Sequence, residues 1–170
     1  MLYYHFGSKQ GLYRTLLRGT FEKIALILQE IAARGEAPAD ALASAVSTIA
    51  AFIDEHTYFP AIMLREVAEG GSHLDPDTLA AMAGVPAAFA GILKPGIEQG
   101  TFRPMHPVAA YFTTIAPILM FVASTPVRRQ LASRKLMPGP GAALTLDVFL
   151  ADLQHSLQLA FSAPTLPAHS

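Results

Sequence analysis

The most chemically pointed string in the chain is its start, Leu2-Tyr3-Tyr4-His5-Phe6-Gly7-Ser8-Lys9-Gln10-Gly11-Leu12-Tyr13. Tyrosine hydroxyls, an imidazole N–H, a lysine ammonium and the free backbone N–H groups of a helix start all donate to phosphate oxygens. Gly7 suits the left-handed residue that closes one helix, and Ser8 the cap that opens the next. The string therefore reads as two helix ends joined by a tight turn. Its aromatics also suit a plug between helices, and residue type alone does not separate the two uses.

No other string has the spacing of a catalytic or metal-binding motif. The six histidines stand at 5, 56, 73, 106, 155 and 169, with no two of them four apart and no HExxH. Ser72-His73 lies in a glycine-rich stretch but not in a Gly-x-Ser-x-Gly elbow. Asp75 and Asp77 flank Pro76, which marks a helix start with acidic first-turn residues rather than a catalytic pair. The chain has no cysteine, which excludes disulfides, zinc ribbons and thiol nucleophiles. The expectation is a protein that is not an enzyme and holds no cofactor or metal.

The elements that must position these residues are helices. Leu17, Phe21, Ile24, Leu28 and Ile31 recur every three or four residues and line one face of a helix from about Lys9 to Arg34. Ser8 caps its start and Gly35 ends it. A second helix opens at Pro38 and aligns Leu42, Val46, Ile49 and Ile53. A short helix from Phe59 to Glu69 stops at Gly70-Gly71. The next runs from Asp75-Pro76 toward Gln99-Gly100; Gly84, Pro86, Gly91 and Pro95 within it predict a kink or a split. A charge-free helix spans Pro107 to Thr125. Pro138-Gly139-Pro140-Gly141 is a loop, Thr145 to Phe161 a last helix, and the residues after it a frayed end. Alternating strand patterns and hairpin turns are absent, so the fold class is all-α, a bundle of about six helices.

Composition narrows the class further. The 170 residues carry 12 Lys+Arg against 13 Asp+Glu, are 52% hydrophobic and only 15% charged, where soluble domains average about a quarter charged. A disordered chain and a strongly basic nucleic-acid binder are both excluded. Residues 1–35 hold five basic and two acidic groups, 36–98 two basic and nine acidic, and 99–135 five basic and none acidic. A chain this poor in charge needs a membrane segment or a large surface buried against a partner. From Pro104 to Val127 no side chain is charged, but Thr113-Thr114 interrupts the run. Pro107 and Pro126 leave about 18 residues between them, at the short end for a span. Its many alanines favour insertion only weakly. Burial in protein is the expectation; a small helical membrane-associated protein built on 104–127 is the alternative.

The opening string resembles the end of the recognition helix, and the start of the helix after it, in the TetR family of bacterial transcriptional repressors. There the pattern is Leu/Ile-Tyr-aromatic-His-Phe, a small turn, then Ser/Asn-Lys and a Leu. Leu64-Arg65-Glu66, Gly70-Gly71 and Ile97-Glu98-Gln99-Gly100-Thr101-Phe102-Arg103-Pro104 resemble the regulatory domain of the AcrR-like members. In those members Asp-Pro often follows the Gly-x-Phe-Arg turn; here His106-Pro107 stands at that place, which changes the cap but not the turn.

The resemblance implies a ligand-responsive regulator, a repressor, acting in the cytoplasm as a homodimer without a membrane. Family members carry two further helices and most of the recognition helix ahead of this string. Residues 1–8 would then be a remnant of the recognition helix and turn, 9–162 the ligand-binding and dimerisation domain, and 163–170 a tail. Tyr3, Tyr4, His5 and Lys9 would touch operator DNA phosphates only with those further helices present. In the family the last two helices form a four-helix bundle with their counterparts, which here implies an interface of Val108, Phe112, Ile115, Leu119 and Val122 with Phe149, Leu153, Leu157 and Ala160. A small apolar or amphipathic effector would sit among Phe52, His56, Phe59, Met63, Met82, Phe89, Tyr111 and Met120 from the middle helices.

Overall fold

The computed structural model describes residues 8–137 and 144–164. Seven helices follow in order among them: α1 Lys9–Ala33, α2 Pro38–Glu55, α3 Tyr58–Ala68, α4 Pro76–Glu98, α5 Pro107–Ala123, α6 Thr125–Ser133 and α7 Leu146–Phe161. The expected all-α class stands. Tyr3, Tyr4, His5 and the loop Pro138–Gly141 lie outside the described residues.

Local chemistry accounts for most boundaries. The Ser8 side chain accepts from the Gly11 N–H at 3.0 Å, and Asp75 accepts from Thr78 N–H at 2.9 Å, so each satisfies an orphan donor of a helix start. Gly35, Gly70 and Gly71 have φ of +67°, +67° and +71°, the left-handed values that end α1 and α3. Pro38, Pro76 and Pro107 occupy first-turn positions, where the missing N–H costs nothing.

Two expectations change. Pro76 to Glu98 is one continuous helix, not split, with Pro86 and Pro95 inside it. It lies along α1 over its length, burying Val85, Ala88, Phe89, Ile92 and Leu93 against the core. A Cβ on Gly84 would stand 4.0 Å from Ala25 and one on Gly91 3.8 Å from Ala32, so small residues face small residues and the two backbones come close. Packing over some six turns outweighs the local cost of proline. The second change is α6, which sequence reading left without an element. The charge-free run is not one rod: its helix ends at Ala123, and α6 leaves at 51°. Arg128 secures the bend. Its guanidinium lies 3.7 Å over the Phe121 ring and donates to the Phe121 carbonyl at 3.0 Å, while Phe121 stacks on Phe149 of α7 at 4.2 Å.

α1 and α4 form the long axis of the bundle; α2 packs on both, α5 packs on α4 and α2, and α7 packs on α2 and α5. The core joins Leu17, Leu28 and Ile31 of α1 to Ile49 and Ile53 of α2, Phe89 and Leu93 of α4 and Ile118 of α5. Thr114 is buried there, but its hydroxyl donates to the Ala110 carbonyl at 2.8 Å and leaves no unmet polar atom. The Gly-x-Phe-Arg turn has a structural purpose. Gly100, at φ +73°, reverses the chain, and Phe102 plugs the bundle end beside Phe161. Arg103 donates from its backbone to the Phe161 carbonyl and from its side chain to Ala160 at 2.7 Å. The turn thereby closes α4 and caps the C-terminus of α7 with a cation. Among the described residues Pro76–Glu98 is the one single helix long and apolar enough to cross a membrane, and α5 with α6 reaches that length and hydropathy only if the bent pair counts as one span.

Candidate functional site: clefts along the first helix

The eight residues expected around an effector are not gathered in one cavity. Phe52, Phe59, Met63 and Phe89 belong to the core. Tyr111 is half-buried between Phe89 and Phe112, and burial raises its hydroxyl above the usual tyrosine value. Met82 is half-buried against the core, and Met120 points to solvent at 55% exposure. Met120 therefore stands outside any pocket within a single chain.

Phe52 and His56 do come together. They line a cleft of about 350 Å³ on one side of α1, closed by Leu12, Thr15, Leu16, Thr20 and Lys23. His56 stacks on Phe52 with centroids 4.2 Å apart, and its Nδ1–H donates to the Phe52 carbonyl at 2.8 Å. That bond fixes the ring plane and leaves Nε2 as the ring's other polar atom. Lys23 Nζ sits 5.2 Å from the Phe52 ring, within cation–π range. Leu12 and Leu16 are exposed on the rim. The cleft thus has an apolar wall with one imidazole and one ammonium at its edge, a combination suited to an amphipathic molecule.

A second cleft, about 390 Å³, opens on a neighbouring face of the N-terminal part of α1, against α3 and the loop after it. Lys9, Gln10, Tyr13, Ile62, Arg65, Glu66 and His73 line it. Lys9, expected at DNA phosphate, is exposed in the first turn of α1 at its edge. Glu66 is only 2% exposed. Tyr13 donates its hydroxyl to Glu66 Oε1, and His73 Nδ1 is 3.2 Å from the same oxygen. Burial, and the hydrogen bond to a carboxylate, push Tyr13 up to about 12, so it stays a proton donor at neutral pH. Sequence reading missed this cluster. Glu66 and Glu69 share a helix face, but His73 joins them only because Gly70 and Gly71 fold the loop back, with Gly71 N–H donating to the Glu66 carbonyl at 2.7 Å. Arg14 then holds the loop through the His73 carbonyl at 2.9 Å.

The expected dimer residues also divide. Ile115 and Leu157 are buried within the chain's own core, while Leu119, Val122, Phe149 and Leu153 are half-buried against it. Val108, Phe112 and Ala160 are exposed. The outward stripe of α5 is Val108, Phe112, Ala116 and Met120, at strict spacings of four and free of charge. α7 adds Val148 and Leu159, which the expected set omitted.

The class the fold defines is an all-helical bundle with a long core helix, clefts beside that helix and apolar residues exposed on α5 and α7. Residues 38–146 match the family described as the tetracyclin repressor-like C-terminal domain. The match spans more than half of the chain, and the chain belongs to that family. No curated protein matches it.

Proposed function

We propose that this chain is the effector-binding and dimerisation part of a ligand-responsive transcriptional repressor. It works without catalysis or cofactor, in the cytoplasm. The observation that carries the reading is the family match across α2 to α6.

The effector is a small amphipathic molecule seated between Phe52, His56 and Leu16. Its apolar body covers the exposed Leu12 and Leu16, and its polar end meets His56 or Lys23. The cleft lies along α1, whose first turn holds Lys9 and follows Tyr3, Tyr4 and His5, the proposed phosphate contacts. A ligand that favours one tilt of α1 moves Lys9 with that helix and changes the separation of the two Lys9 residues across a dimer. Dimerisation uses the stripe of α5 with α7. Phe112 at 58% and Leu159 at 70% exposure support that surface, since large apolar side chains left in water favour burial against a partner.

The test of the sensor reading is binding of an apolar reporter dye such as anilinonaphthalene sulfonate. Saturable fluorescence that is lost in Leu16→Asp and weakened in His56→Ala supports the cleft. Equal fluorescence in the parent chain and both variants removes it.

A further inference from the structure

We infer that Glu66, Glu69 and His73 form a binding site for a first-row divalent cation of the Zn2+ class, facing the cleft between α1 and α3. His73 Nδ1 lies 3.2 Å from Glu66 Oε1 and 3.2 Å from Glu69 Oε2. The three ligand atoms all lie within 4.8 Å of one another. Donors held about 2.0–2.2 Å from a tetrahedral ion stand about 3.3 Å apart, so small side-chain adjustments bring all three into range.

A second observation points to a ligand independently of the cluster's composition. Glu66 is 98% buried by its 2% exposure, yet its Oε2 has no hydrogen-bond partner. A buried carboxylate with an unmet oxygen is costly unless a cation or donor meets it. Among the described residues no basic side chain other than His73 forms an ion pair with Glu66; Arg65 spends its contact on Glu69 Oε1 at 3.0 Å. That contact orients Glu69, leaving Oε2 toward His73, as outer-shell partners do in metal sites. Tyr13 also donates to Glu66 Oε1. The donor set is one imidazole and two carboxylates without sulfur, which suits Zn2+, Co2+ or Ni2+ and disfavours Cu+. Three protein ligands leave a fourth position, open to the cleft beside Lys9 and Gln10, where water or an anionic group completes the shell.

This site is separate from the Phe52–His56 cleft and does not rest on it. The test is calorimetric titration of the tag-free, chelator-treated chain with Zn2+, in the absence of DNA and dye. The expected result is one Zn2+ per chain with micromolar or tighter affinity, a raised thermal midpoint, and a Co2+ derivative with visible d–d absorption. Glu66→Gln and His73→Ala each weaken binding by tenfold or more. His73 is 46% exposed at its side chain, so its removal leaves the fold intact even if Glu66→Gln does not fold. Absence of saturable Zn2+ binding overturns the proposal and leaves His73 as an ion-pair partner only. Undiminished affinity in His73→Ala, or preference for Mg2+ or Ca2+ over Zn2+, overturns it as well.

Discussion

At the scale of single residues, glycines show how position decides the effect of one methyl group. A Cβ on Gly96 would overlap the Phe102 ring and lie 2.9 Å from Pro38 Cβ. Gly96→Ala should therefore displace the plug and destabilise the chain by about 1–3 kcal/mol, measured by urea denaturation. Gly91 is helical and exposed, with only Ala32 at contact distance. Gly91→Ala should stabilise by about 0.5–1 kcal/mol in the same assay, because alanine loses less entropy in a helix; a loss of stability would mean that α1 and α4 are closer than this geometry allows. Asp75 gives a pH signature. Hydrogen bonds from Thr78 hold its carboxyl below the usual carboxylate value. Its contribution is therefore present above the unfolded-state value and is lost as pH falls through the lowered one. Asp75→Ala should lower the thermal midpoint at neutral pH, and the gap from the parent chain should close in acid. A gap that stays constant with pH would contradict the capping role.

At the scale of elements, α5 has two faces with different tasks. Ala110, Thr114, Ile115 and Ile118 are buried in the bundle, and Val108, Phe112 and Met120 face outward. Ile115→Glu places a charge in the core and should abolish the cooperative thermal transition. Phe112→Glu changes only the outer face and should keep that transition. If both variants unfold alike, the outward stripe is not the surface described here. Periodicity made the existence of α1, α2, α3, α5 and α7 legible, because apolar residues at spacings of three and four have one physical solution in a chain with few strand formers. It did not distinguish the two faces of α5. Both are apolar, and a stripe drawn through Val108, Phe112 and Ile115 crosses from one to the other.

At the scale of the whole molecule, the shortage of charge now has places. Part of it lies in the α1–α4 seam and part on the exposed face of α5. Light scattering of the chain at micromolar concentration should give twice the 18.1 kDa chain mass. Phe112→Glu combined with Leu159→Glu should return the single-chain mass with helicity unchanged. A single-chain mass for the parent, or a dimer that survives both glutamates, would remove the proposed interface.

Sequence by itself determined the helical class, the cap at Ser8, the helix starts near Asp75-Pro76 and Thr145, the stops at Gly35 and Gly70-Gly71, and the Gly-x-Phe-Arg turn. These depend on backbone chemistry within a few residues, which the order of residues states directly. Only tertiary structure decided that Pro86 and Pro95 lie within one helix, that Arg128 turns the charge-free run at Ser124, and that Phe52 and His56 part company with Met120. It alone brought Tyr13, Glu66, Glu69 and His73 together. Each of these outcomes depends on which surfaces meet across the bundle, and a linear pattern of polar and apolar residues does not encode that distance.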